Sequence, residues 1–336
     1  MGIDLSICIA TRNRADTIGE TLESIIREAN ERVEVVIVDG ASTDNTEQVV
    51  VAYQASFPSL RYYRLAENGG VDKDYCKAAD LALGQYCWFM SDDDIFKEGA
   101  VPTVLDKISH GYDLIVVNAE SRNIDMSKVL VAQNTVIDSD TVYPTQAFRD
   151  FFVNMASHLS YLPAVVIRRS IWNQREKEEY YGSNFVHVGV IFQKPMNGDV
   201  LVLQSPLIAV RRGNVSWSSK SFEVWLFKWP RLIWSFSLFD SSAKTSVTHE
   251  EPWRKLSVLL RFRGSGYYSS NEYAKWVKTT DSGLLFKLLA RAIAVVPVTL
   301  LNPIVVLYLI MFRKDSKASV YEIVRSAVLR KAFRME

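Results

Sequence analysis

The chain has 336 residues, 48% hydrophobic and 23% charged, which excludes a disordered or fibrous polypeptide and leaves room for one large domain or two ordinary ones. Its net charge of +1 conceals an asymmetry: residues 253–336 carry 15 Lys and Arg against 5 Asp and Glu, leaving 24 against 33 in residues 1–252. An acidic body with a basic end predicts an anionic surface as the partner of that end. A nucleic-acid partner is not expected.

In chain order, "DLSICIAT" (4–11) is an apolar, β-branched run that stops in a polar turn. Residues 16–29 place Ile18, Leu22, Ile25, Ile26 and Ala29 at helical spacing, with Asp16 as the expected cap. A second strand, "VEVVIVDG" (33–40), stops at Asp39, and Asp44 is placed to cap a helix over 45–56. "RYYRLAE" (61–67) predicts a third strand, followed by Asn68-Gly69-Gly70 and a helix near 71–83. "YCWFM" (86–90) is the fourth. Further on, a helix at 100–109 and strands at 113–118, 163–172 and 200–213 are expected. Strands alternating with helices of this length mean βαβ units and an α/β fold with a mainly parallel sheet. In such a sheet ligands sit beyond the carboxyl ends of the strands. Thr11-Arg12-Asn13-Arg14, Asp39, Asn68-Gly69-Gly70 and Asp92-Asp93-Asp94 all fall at those ends and predict one polar rim.

Cys8, Cys76 and Cys87 show no paired spacing and read as reduced core residues. With no basic segment leading an apolar one at the N-terminus, no signal peptide is expected, and the chain is expected in the cytosol. The lack of GxxxxGK[ST] and of GxGxxG at the first turn argues against a P-loop or dinucleotide enzyme.

Three adjacent carboxylates repel one another, and burying one unpaired is costly. Asp92, Asp93 and Asp94 therefore suit either a hard cation that bridges phosphate oxygens or a solvated turn capping the next helix. With this on the page, "ICIATRNR", "VVIVDGASTDNT", "NGGV…ALGQY" and "SDDD" resemble, in order and spacing, the inverting glycosyltransferases of family 2, which have the GT-A fold. The phrase "GQYCWFMSDDD" looks most like the abequosyltransferase-type enzymes of O-antigen assembly. The resemblance is close over residues 4–100 and diffuse beyond.

Carried over residue by residue, the resemblance implies that Thr11, Asn13 and Arg14 line the nucleotide pocket and that Asp39 bonds the base or ribose. It implies Asp93 as the principal ligand of Mg²⁺ or Mn²⁺, with Asp92 beside it. Asp92 and Asp94 would also hold sugar hydroxyls or metal-bound water, which counts Asp94 with the catalytic group. Three departures stand out. Ser91 occupies the place of the first metal-binding carboxylate. Tyr75-Cys76 replaces an Arg-Asn pair, leaving Lys73, with Asp72 beside it, to meet the donor at a helix N-terminus. His187, in "YYGSNFVHVGVIF" (180–192), stands where the base that deprotonates the acceptor is expected; its ordinary pKa suits that task, and core packing is the other reading. Asp150, His158, Glu178 and Glu179 are weaker candidates. Arg211 and Arg212 offer forks for a diphosphate, or are a surface pair.

The implied domains are a GT-A catalytic domain over 1–215, with a nucleotide-sugar half (1–100) and an acceptor half (101–215), and a helical, aromatic and basic region over 216–336. Trp225, Trp229 and Trp234 suit sugar stacking, a lipid interface or core packing. Residues 292–312 are uncharged, long enough to span a bilayer but interrupted by Pro297, Asn302 and Pro303, so they would span, insert or pack on the protein. Basic neighbours from Lys287 to Lys317 favour membrane contact. The expectation is a metal-dependent transfer from a nucleotide-sugar donor to a polyprenyl-diphosphate-linked glycan at the cytoplasmic face of a bacterial inner membrane. The alternative is a membrane-associated, non-catalytic binding or scaffold subunit.

Overall fold

The computed structural model describes residues 2–213, 220–312 and 317–333. They divide into two compact units: residues 1–120, 132–210 and 238–243 in the first, and 121–131, 211–237 and 244–336 in the second.

The first unit opens with β1 (Leu5–Thr11), α1 (Ile18–Ile26), β2 (Val33–Asp39), α2 (Thr46–Gln54), β3 (Leu60–Arg64), α3 (Val71–Leu81) and β4 (Tyr86–Met90). β1 pairs in parallel with β2 and β4, and β2 with β3. The register sets Thr11 opposite Asp39 and Asp39 opposite Arg64, so three strands end level. Met90 lies opposite Ile9, which brings Ser91 and Asp92 alongside Ala10 and Thr11. Every residue of β2 and β4 is buried, as expected for strands covered on both faces. Ile18, Leu22 and Ile25 of α1 join Leu5, Ile7 and Ile9 of β1 in the core, which explains the helical spacing of those apolar residues.

The chain continues through β5 (Ile95–Phe96), α4 (Ala100–Ile108), β6 (Leu114–Arg122), β7 (Val129–Val131), β8 (Thr141–Tyr143), α5 (Phe148–Leu159), β9 (Val165–Arg168), α6 (Arg169–Asn173), α7 (Val186–Phe192) and β10 (Val200–Arg211). The strand order is β3-β2-β1-β4-β9-β6-β10-β5. From β4 onward the neighbours β4–β9, β9–β6 and β10–β5 are antiparallel, so only half of the sheet has the parallel pairing expected. The stretch 163–172 is a strand of four residues that turns at once into α6, and Asp16 stands exposed without capping α1. Trp88 anchors the junction: its indole donates to the Pro163 carbonyl at 3.0 Å and its ring stacks on Phe96 at 4.2 Å.

In the second unit an aromatic core gathers Phe222, Leu226, Trp253, Leu259 and Tyr268. Trp229 is buried, Trp225 is exposed, and the Trp234 indole donates to the Thr248 carbonyl at 3.1 Å. Helices Leu284–Val295 and Val298–Phe312 meet at 99°. Pro297 falls at that bend, whereas Pro303 lies within the second helix without ending it. Among the described residues no single helix is long and apolar enough to cross a membrane. Arg313 and Lys314 lie outside the described residues.

Candidate active site

The turns that follow β1 and β2 are tied to each other. Asn13, left-handed at φ 54°, donates its amide to Ser42 Oγ at 2.9 Å, and its side-chain oxygen accepts from the Thr43 amide at 2.8 Å. The Arg14 amide donates to Thr46 Oγ1 at 2.9 Å. Asp44 steadies the same junction, accepting from Thr46 N at 3.0 Å and Ala15 N at 3.2 Å. Asp39 is fully buried; Ser42 N donates to its Oδ1 at 2.7 Å and the Tyr62 hydroxyl to its Oδ2 at 2.6 Å. Its carboxylate thus shapes the turn from beneath.

In the acidic stretch burial alternates: Asp92 and Asp94 are buried and Asp93 is half-buried. Arg14 Nε stands 3.2 Å from Asp92 Oδ1. Burial, with the charge of Asp93 added, still pushes the Asp92 carboxyl up to about 7, against the opposing pull of Arg14. Asp94 Oδ2 accepts both the Ser91 and the Tyr161 hydroxyl, each at 2.6 Å. Its backbone carbonyl accepts from Thr21 Oγ1 at 2.8 Å, and that of Asp92 from Thr17 Oγ1 at 3.0 Å. A carboxyl pushed upward by burial and by its neighbour's charge is one whose ionised form a nearby cation would favour. The described residues contain no cluster of three or more acidic, His or Cys ligands. Asp92 and Asp93 are the adjacent carboxylates that a hard cation would meet at this strand end.

Residues 71–81 bring three further groups. Asp72 is buried, and its oxygens accept from Gly182 N at 2.8 Å, Asn184 N at 2.9 Å and Val186 N at 3.1 Å. It holds the loop before α7, a positioning role where donor contact was expected. Lys73 is exposed, with Nζ 5.7 Å from the Tyr181 ring centroid. Asp74 went unnoticed in the sequence. It is 5% exposed, its Oδ1 has no hydrogen-bond partner, and burial with the charge of Asp39 pushes it up to about 6 while Arg12 opposes. A Cβ at Gly40 would stand 2.8 Å from Asp74 Oδ2 and one at Gly69 2.9 Å from Oδ1, so both glycines make room for this carboxyl.

His187 is 1% exposed, with Nε2 2.8 Å from the Leu159 carbonyl oxygen. The carbonyl can only accept, so Nε2 carries the proton and Nδ1 is left without a partner. Burial pushes its pKa down to about 4. A base must reach the hydroxyl it deprotonates, and this ring is enclosed by the core, so the geometry corrects the reading of His187 as the base. Glu178 and Glu179 are exposed on the turn Glu178–Tyr180, Asp150 is exposed on α5, and His158 Nε2 is 3.0 Å from the Val117 carbonyl oxygen. Arg211 and Arg212 belong to the second unit. There Arg211 donates to the Ile124 carbonyl at 2.7 Å, and Arg212 Nε donates to Ser121 Oγ at 3.1 Å and stands 3.4 Å from Glu322.

Level strand ends and an acidic stretch beyond β4 form the polar rim that the strand pattern predicted, and residues 6–156 match the model of glycosyl transferase family 2. Residues 6–156 are a family 2 glycosyltransferase domain. The glycosyltransferase is 25% identical over 232 residues to abequosyltransferase RfbV of Salmonella typhimurium, covering 64% of this chain and 69% of the relative. It is 26% identical over 185 residues to the GalNAc(5)-diNAcBac-PP-undecaprenol beta-1,3-glucosyltransferase of Campylobacter jejuni, covering 53% of this chain and 56% of that one. Among solved structures, S. aureus TarS 1-349 in complex with UDP-GlcNAc aligns over 99% of this chain and 92% of its own, with a TM-score of 0.59 at 18% identity. The mannosyltransferase PcManGT of Pyrobaculum calidifontis, in complex with GDP-Man and Mn²⁺, aligns over 100% and 89%, with a TM-score of 0.54 at 13% identity. These structural likenesses establish the GT-A fold.

Proposed function

We infer that this glycosyltransferase moves a sugar, with inversion, from a nucleotide-diphosphate donor to a polyprenyl-diphosphate-linked glycan during surface polysaccharide assembly of the O-antigen type, at the cytoplasmic face of the inner membrane. The observation that carries the reading is the exposure pattern of the acidic stretch. Asp93 is the half-exposed carboxylate of the three, at a strand end in register with the Thr11 turn. The PP-undecaprenol in the name of one relative supports the acceptor class, and the ligands of the two structural neighbours support the donor class.

In this reading the turns carrying Thr11, Asn13 and Arg14 cradle the nucleotide, Lys73 offers its charge to the diphosphate, and Asp93 with Asp92 holds Mg²⁺ or Mn²⁺. Such a cation, when bound, offsets the charge that develops on the departing diphosphate. The acceptor oxygen bonds to the anomeric carbon from the face opposite the diphosphate, whose bond to that carbon breaks. The acceptor proton passes to an exposed carboxylate, Glu178 or Glu179, beside Tyr181. The test is nucleotide release from a panel of nucleotide sugars in Mn²⁺, with a lipid-linked glycan fraction as acceptor. Asp93→Ala is expected to lower release by at least a hundredfold. Equal release by Asp93→Ala and the native enzyme would overturn the assignment of the metal ligand, and no release from any donor would overturn the reaction.

A further inference from the structure

The two apolar helices of the second unit form a built bend. Arg263 Nε donates to the Val296 carbonyl at 2.6 Å, just past the end of Leu284–Val295. On the other side Asn302 Nδ2 donates to the Gly264 carbonyl at 3.1 Å. A side chain at Gly264 would collide with Val305, so the helix Leu256–Gly264 and the helix Val298–Phe312 meet at backbone distance. Tyr268 adds a hydrogen bond to the Ala290 carbonyl at 3.1 Å. The 99° angle is thus fixed from both arms.

What this bend presents is apolar and open. Leu284 and Leu285 on one arm, and Ile304, Leu307 and Phe312 on the other, are between 57% and 75% exposed. Along Val298–Phe312 the exposed apolar positions sweep about 200° of the helix at about 100° per residue, and the buried positions are Val305 and Leu309. A helix docking on a protein groove needs an apolar stripe about half that wide. An apolar surface around most of the circumference suits a lipid phase. The charges in residues 284–312 are Lys287 and Arg291, with no acidic residue among them, which complements an anionic surface. The arms measure roughly 18 and 22 Å at about 1.5 Å per residue, short of the roughly 30 Å hydrocarbon core.

We propose that the bent pair is a one-leaflet membrane wedge: both arms lie within a single leaflet of an anionic bilayer, and neither crosses it. Lys287 and Arg291 reach back to the headgroups along their apolar stems, and the helix Leu256–Gly264 braces the bend. The wedge deepens the proposed function by placing the enzyme on the surface that holds a polyprenyl-linked acceptor. It is tested without substrate, so its failure is distinguishable from failure of the transfer reaction.

The experiment floats the full chain with vesicles of phosphatidylglycerol and phosphatidylethanolamine, and with phosphatidylcholine alone. Flotation with the anionic vesicles is expected, falling at least tenfold in Ile304→Glu/Leu307→Glu, whose thermal unfolding should match the native chain because both sites are exposed. Because all three native cysteines are buried, a fluorophore can be placed selectively on Leu307→Cys. Its emission should shift to the blue on vesicle binding and be quenched by nitroxides in the near leaflet only. Lack of flotation, flotation unaffected by the double substitution, or quenching from the far leaflet would overturn the proposal. So would sedimentation showing a dimer that the double substitution dissociates, since the occupant would then be a second copy.

Discussion

Ser91 donates its hydroxyl to Asp94 Oδ2 at 2.6 Å, and Tyr161 donates to the same oxygen at the same distance. The serine that departs from the family pattern therefore serves its neighbour, and a carboxylate in its place would face Asp94 with like charge. Removing either hydroxyl is expected to cost about 1–2 kcal/mol, because each bond is made to a buried carboxyl group with little water nearby. The two losses should be non-additive, since they share one oxygen. Urea unfolding of Ser91→Ala, Tyr161→Phe and the double variant measures the coupling, and strict additivity would refute a shared role. Turnover should fall further in the double variant than in either single one.

Asp72 offers a sharper contrast between positioning and contact. Its carboxylate accepts three backbone amides from the loop that leads into α7. Asp72→Ala would leave those donors unpaired, at a cost of roughly 2–4 kcal/mol. Limited proteolysis should then cut between residues 180 and 186 at least tenfold faster than in the native chain. Affinity for the donor nucleotide should change less than threefold, which calorimetry with the nucleoside diphosphate would read. A large loss of nucleotide affinity with an intact loop would instead restore the expected donor contact.

For His187 the expectation is structural. His187→Gln can keep a donor toward the Leu159 carbonyl while removing the imidazole, so turnover should stay within about threefold of native. His187→Ala removes a buried ring and leaves a cavity, with a cost on the order of 2–4 kcal/mol. If His187→Gln abolished turnover while the unfolding midpoint held, the ring would be taking part in the chemistry after all.

Much of the donor half was legible because its strands are unbroken apolar runs that stop at polar residues. β1, β2 and β4 are recovered within one residue at each end, and the rim follows from their register. The antiparallel half was hidden for a physical reason. β9 is four residues long and buried on both faces, and its pairing with β4 and β6 is set by packing across the chain rather than by local pattern. The site was legible as a place more than as a set of roles. Asp72 resembles any acidic residue in a helix's first turn, and its partners lie 110 residues or more along the chain. The valines beside His187 pointed to the core, which is where the ring sits. Asp74 left one signal, the glycines at 40 and 69, whose need for space shows only once the turns are folded.

Asp74 also gives a dependence on pH whose sign can be worked out. Burial and the charge of Asp39 raise its pKa from 3.8 to about 6 in the folded chain. Between those values the native state keeps a proton that the unfolded state has released, so stability falls as pH rises through that window. Above about pH 7 the penalty is complete, and at pH 4 most of it is absent. Asp74→Asn keeps the shape between Gly40 and Gly69 without the charge. It should leave stability near native at pH 4 and raise it by on the order of 1–2 kcal/mol at pH 8, allowing for partial screening by water. Urea unfolding of both proteins at the two pH values checks this. An equal difference at both would mean that ionisation of Asp74 is not what the substitution relieves.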